Sequence, residues 1–190
     1  MPTKKYNVSA LEDLLHQTLE TEASAALVYQ TAIRCATRDD LKSEWQEYLE
    51  RARTHHEIVS DLCQAAQIQL HERPTHPTLA SHLAPVMVSA MQAALAAADA
   101  QAAQRKASEC VALAKTHSRQ NWALLKEVGS PASGPLQQAM NQRLEEIDHA
   151  EFSQARQSAR RYHELWREFL EIPAAAPVTP ATPIPQATVL

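Results

Sequence analysis

The chain has 190 residues, a formal net charge of −4, 2 glycines, 11 prolines and 3 cysteines. A slight acid excess excludes the broad basic field that nucleic acid or an anionic membrane surface selects. Scarce glycine and the absence of any sustained two-residue alternation exclude a fold built on sheets. The composition predicts an all-α protein of one domain, soluble and cytoplasmic, with neither nucleic acid nor membrane as a partner.

Residues 1–8 read as an N-terminal arm. No apolar core follows the charges of "MPTKKYNVSALEDLL", so no secretion signal is expected. No run approaches the ~18 consecutive apolar residues of a membrane span. Cys35, Cys63 and Cys110 lie far apart in apolar surroundings, which points to buried thiols and not to disulfides or a zinc site.

The first helix should run from about Ala10 to Cys35. Ser9 and Glu12 have capping-box spacing at its start. Its inward stripe is Leu11, Leu15, Thr18, Glu22, Ala25, Tyr29 and Ala32. After the turn "ATRDD", with Thr37 and Asp40 as caps, a second helix should cover about Leu41 to Leu70. Its stripe is Trp45, Leu49, Ala52, His56, Val59 and Cys63. "HERPTHP" at 71–77 ends it, because proline lacks an amide and disfavours helix just before it.

Residues 78–98 form a helical crossover, either continuous or broken near Pro85. Asp99 should cap a helix from about Ala100 to Val128, whose stripe runs through Cys110, Ala114, His117, Asn121 and Leu124. "GSPASGP" at 129–135 is a loop. The last helix, about Leu136 to Glu171, carries Glu146 and His149 three residues apart, hence on one face. From residue 173 to 190 the sequence is a Pro-rich tail of a composition that stays disordered, while residues 9–172 make up the bundle.

Two short turns and one long crossover give two antiparallel hairpins. Measured from those turns at ~1.5 Å rise per residue, Glu22, His56, His117, Glu146 and His149 come to similar heights. Carboxylate and imidazole converging in one layer are a donor set for iron, zinc or manganese. The five are therefore the candidate metal ligands.

The chain resembles the ferritin-like superfamily, including rubrerythrin and bacterioferritin, over about residues 10–171. The resemblance rests on "ETEASAALVYQ" (20–30), where Tyr29 follows Glu22 by seven residues, on "ERARTHHEIVSDL" (50–62) around His56, and on "LEEIDHAEF" (144–152) with Glu146 and His149. The stretch "RRYHELWREFLEIPAAAP" also resembles bacterial ferritin-like proteins that end in a Pro-rich tail. The resemblance implies a four-helix bundle and Fe(II) or peroxide oxidation, with Tyr29 beside the metals.

The ligand set departs from that pattern in two places. Arg53 stands where a glutamate should precede His56, and the third long helix has no carboxylate near Ala114 or His117, only Lys115. Two functions follow: a metal-binding, redox-active bundle, or a non-catalytic ferritin-like scaffold in which Arg53 and Lys115 replace the metals in a buried charge network. A homo-oligomer, such as a dimer, fits either case, because the alanine-rich crossover exceeds what one bundle can cover; the sequence does not give the number of subunits. The tail is a candidate site for a protein partner.

Overall fold

The computed structural model describes residues 7–68, 78–129 and 134–173; for residues 135 and 146 it describes the backbone alone. Within these lie five helices and no strand: α1 (Val8–Cys35), α2 (Asp39–Ala65), α3 (Leu79–Ala96), α4 (Ala100–Gly129) and α5 (Gly134–Phe169). The expected "HERPTHP" breaker, the middle of the "GSPASGP" loop, most of the N-terminal arm and the tail from 174 onward fall outside the described residues.

The helix starts are fixed locally. Asn7, not Ser9, caps α1: its Oδ1 accepts from the amides of Ser9 at 3.0 Å and Ala10 at 3.2 Å. α2 has no side-chain cap of its own. Gln104 of α4 instead holds the turn before it, its Oε1 accepting from the amides of Thr37 (2.8 Å) and Arg38 (3.0 Å) and from the Thr37 hydroxyl (2.8 Å). Asp99 caps α4 as its sequence position implies, accepting from the Ala102 amide at 2.8 Å. Gly134 opens α5 at a φ of +67°, in the left-handed region that glycine enters without steric cost. Of the two alternatives at Pro85 the continuous one holds, and α3 runs unbroken through it. The Pro85 ring is exposed and burdens no packed face.

α1 packs against α2 and α4, α4 against α5, and α5 less extensively against α2, closing a four-helix ring; α3 lies across α1 and α4. Inside are two apolar clusters. One contains Tyr29, Trp45, Tyr48, Ala107 and Leu165. The other contains Leu15, Val59, Leu62, Trp122, Met140 and Ile147. Between them sits a set of buried polar side chains, and it is there that the four long helices meet chemically.

α3 differs from the rest. Its 18 residues have a mean hydropathy of 1.4 and only 17% of them are buried, so by length and composition it could cross a membrane. His82, Ser89 and Gln92 interrupt its apolar run without adding formal charge, so no uninterrupted span is visible there in the sequence.

Candidate functional site

Each ring helix sends at least one polar residue into the layer. On α1 the stripe Leu15, Thr18, Glu22, Ala25 turns inward as a unit, and Glu22 is carried into the core, 1% exposed. On α4 the inward positions are Val111, Lys115, Ser118, Trp122 and Leu125. Ser118 and Trp122, four residues apart, both aim at Glu22 Oε1: the serine hydroxyl donates at 2.5 Å and the indole N–H at 2.8 Å. One oxygen of the carboxylate is thereby fully engaged from α4.

The other oxygen faces α2. His55 Nδ1 lies 3.7 Å from Glu22 Oε2 and 3.8 Å from Glu151 Oε1, so the imidazole stands between two carboxylates. Its ring meets Trp122 edge-on at a centroid distance of 5.0 Å, which fixes its orientation. Glu151 is fully buried on α5. Its Oε1 accepts from Lys115 Nζ at 2.6 Å. That ammonium also lies over the rings of Tyr48 (4.8 Å) and Tyr29 (5.7 Å). Lys115 is thus held by one carboxylate and two aromatic faces, 2% exposed.

Burial drives the Glu22 carboxyl upward, but His55, Ser118 and Lys115 together outweigh it and leave its pKa below the ordinary 4.5. Burial, with Glu151 and Glu22 nearby, raises the Tyr29 hydroxyl well above its usual range. Four buried polar atoms of the layer and its edge, Tyr29 Oη, His55 Nδ1, Glu151 Oε2 and Gln154 Oε1, have no hydrogen-bond partner among the described residues.

The layer has two polar neighbours. Toward one end, Glu44 accepts from Tyr48 Oη (2.8 Å), Gln157 Nε2 (2.9 Å) and Arg161 Nε (3.2 Å). Toward the other, Asn121 donates to Thr21 Oγ1 at 2.9 Å and accepts from Gln17 Nε2 at 2.7 Å, tying α1 to α4.

The sequence-predicted ligands separate in this geometry. Glu22 is in the layer. His56 is only half-buried, because the register of α2 turns its neighbour His55 inward. His117 is half-buried and lines an apolar cavity of about 210 Å³ between α1, α3 and α4, where burial holds its pKa below the usual histidine value. His149 is exposed beside Phe152 on the surface of α5. Glu146 belongs to α5, and its side chain lies outside the described residues. The expected single layer of five is therefore not formed by His56 and His149.

Of the two cations, Lys115 is buried against Glu151, whereas Arg53 is exposed and bonds Glu50 at 2.7 Å. Glu151, His55, Ser118 and Trp122 were missed. The signal for Glu151 was present, since Leu136, Met140, Leu144 and Ile147 advance by fours and threes and the next inward step lands on Glu151.

Among the described residues no group of three or more His, Cys, Asp or Glu side chains is arranged to hold a metal ion. The donor set agrees with that. It offers one imidazole and two carboxylates, and one carboxylate already carries an ammonium at hydrogen-bond distance. Such a set does not fit a two-metal centre. No protein-family model, curated protein or solved structure matches the chain.

Proposed function

We propose that the chain is a ferritin-like bundle whose interior is closed by a direct ammonium–carboxylate–imidazole layer in place of a metal centre, and that it serves as a non-catalytic helical scaffold. A ferritin-like di-metal site takes a glutamate from each of two helices and Glu-x-x-His from each of the other two. The inward positions here are Glu22 on α1, Lys115 on α4, Ala52-x-x-His55 on α2 and Glu151-x-x-Gln154 on α5. The topology and the spacing correspond. Three of the six ligand types do not: alanine, lysine and glutamine stand where two carboxylates and an imidazole would be needed.

The single observation that carries this reading is the 2.6 Å contact between Lys115 Nζ and Glu151 Oε1 in a layer closed to solvent. A fixed positive charge there does what a cation would do for Glu151. It adds no open coordination position and no redox chemistry. The layer's role is to set register: slipping any of the four helices by a turn would leave a charge against apolar side chains, at a cost of several kcal/mol.

The reading is tested by elemental analysis of the purified full chain, with thermal melts in the presence and absence of a chelator. No stoichiometric metal and no chelator effect are expected. Iron, zinc or manganese bound at one or two equivalents, lost together with stability on chelation, would support the metal-handling alternative and end this one. A gain-of-function arm is sharper. The triple variant Ala52→Glu, Lys115→Glu, Gln154→His rebuilds the missing ligands and should acquire divalent-metal binding that the parent lacks.

A further inference from the structure

Among the described residues, α3 has a broad uncharged face that no other helix covers. Its buried residues, Ala80, Ala84 and Met91, lie on one side. The opposite side carries His82, Val86, Ser89, Ala93 and Ala96, with Leu79 at its edge, where it also lines the cavity between α1, α3 and α4; all six are exposed. Leu79 is 62% and Val86 65% accessible, two large apolar side chains open to solvent on one 18-residue helix. The steps between these six positions alternate three and four, the seam spacing of a helix that pairs with another helix. No Asp, Glu, Lys or Arg occurs anywhere from Leu79 to Ala96.

The seam is graded in size. Its first half bears Leu79, His82 and Val86; its second half bears Ser89, Ala93 and Ala96. An antiparallel pairing with an identical helix sets Leu79 on Ala96, His82 on Ala93 and Val86 on Ser89, each large side chain opposite a small one, and the same in reverse. A parallel pairing sets large on large and small on small, leaving a gap along the second half. Self-complementarity under a two-fold axis is what an isologous interface requires. The absence of charge means that no like-charge pair is buried by bringing two copies together.

We infer that the exposed face of α3 is a two-fold homodimer interface, in which α3 of one chain lies antiparallel on α3 of a second copy with Val86 and Ser89 beside the axis. The occupant is a second copy and not a lipid surface. Helices that lie on membranes carry Lys or Arg along their polar flank, and α3 has none. A helix pair ~27 Å long covers roughly 600–800 Å² in total, below the ~1,000 Å² of a stable interface, so the dimer is weak and reversible.

The test uses the full chain in sedimentation velocity over a wide concentration range. The parent should pass from monomer to dimer, while Val86→Glu and Ala93→Glu should each stay monomeric with unchanged helix content and melting temperature, since both sites are exposed. Register is read by cross-linking. Leu79→Cys protein mixed with Ala96→Cys protein should form a disulfide-linked dimer under mild oxidant, and Leu79→Cys protein alone should not. A parent that stays monomeric, a dimer that survives both glutamates, or self-cross-linking of Leu79→Cys would each overturn the proposal. So would co-sedimentation of the parent with phosphatidylcholine–phosphatidylglycerol vesicles that Val86→Glu abolishes, which would assign the face to a membrane.

Discussion

Lys115 and Glu151 face each other across 2.6 Å between α4 and α5, with both side chains shut off from solvent. Such a pair does little for net stability, because desolvating two charges roughly cancels their attraction; removing one partner is another matter, since the survivor stays buried alone. Lys115→Met should therefore destabilise the fold by about 3–5 kcal/mol. The double variant Lys115→Met, Glu151→Leu should recover most of the loss. Denaturant melts of the two single variants and the double one form a cycle that checks this; simple additivity of the two losses would show that the pair does not act as a unit.

Adjacent histidines give a second, sharper contrast. His55 is 5% exposed, packed on Trp122 and set between two carboxylates. His56 points to the flank of α2, half-buried. His55→Ala should cost about 2–4 kcal/mol, as expected for emptying a packed polar site, and His56→Ala less than about 1. Arg53→Ala belongs with the small effects, because its exposed pair with Glu50 is worth at most about 0.5 kcal/mol. Thermal melts of the three variants side by side decide it; equal losses at His55 and His56 would mean that the α2 register is wrong.

The three thiols offer a reagent test of the core. Cys35, Cys63 and Cys110 are all free and buried. Burial pushes the Cys63 and Cys110 thiols up to about 11 and raises Cys35 as well. Since the thiolate is the reactive form, the folded chain should be nearly inert to a disulfide reagent at neutral pH and should titrate three thiols once denatured. A thiol that reacts rapidly in the folded state would place that cysteine outside the two apolar clusters.

Helix number and order were legible because Gly, Pro and capping residues punctuate long periodic stretches. The interior was legible where a long buried stripe fixes the phase on both sides of the polar residue, as at Glu22, with Leu11, Leu15 and Thr18 before it and Ala25 and Tyr29 after it. It was misread by one residue where two candidates adjoin. On α2 the steps from Ala52 to 55 and to 56 both continue a helical stripe, and only packing against Trp122 chooses His55. On α4 the stripe through His117 and Leu124 runs beside the true one through Ser118 and Leu125. On α5 the Glu-x-x-His spelling drew attention to His149, which is exposed, while Glu151 followed from the apolar steps before it. A motif names a chemistry; the phase of the whole stripe decides which way it faces.

Acid should unfold the bundle partly through Glu22. Its folded pKa lies below the ordinary 4.5, the lift from burial being outweighed by His55, Ser118 and Lys115. A carboxylate depressed in the folded state contributes stability that is fully present above its unfolded pKa and lost as pH falls through the folded value. The loss attributable to Glu22 should accordingly begin near pH 4.5 and continue below it, at no more than about 1.4 kcal/mol per pH unit for one proton. Glu22→Gln keeps an acceptor for Ser118 and Trp122 but cannot titrate. Its stability should be lower near neutral pH, where the charge facing His55 and Lys115 is missing, and should fall less steeply in acid. Urea titrations of both proteins across the acid range measure the two slopes. Parallel curves would mean that Glu22 does not carry its charge into the folded core.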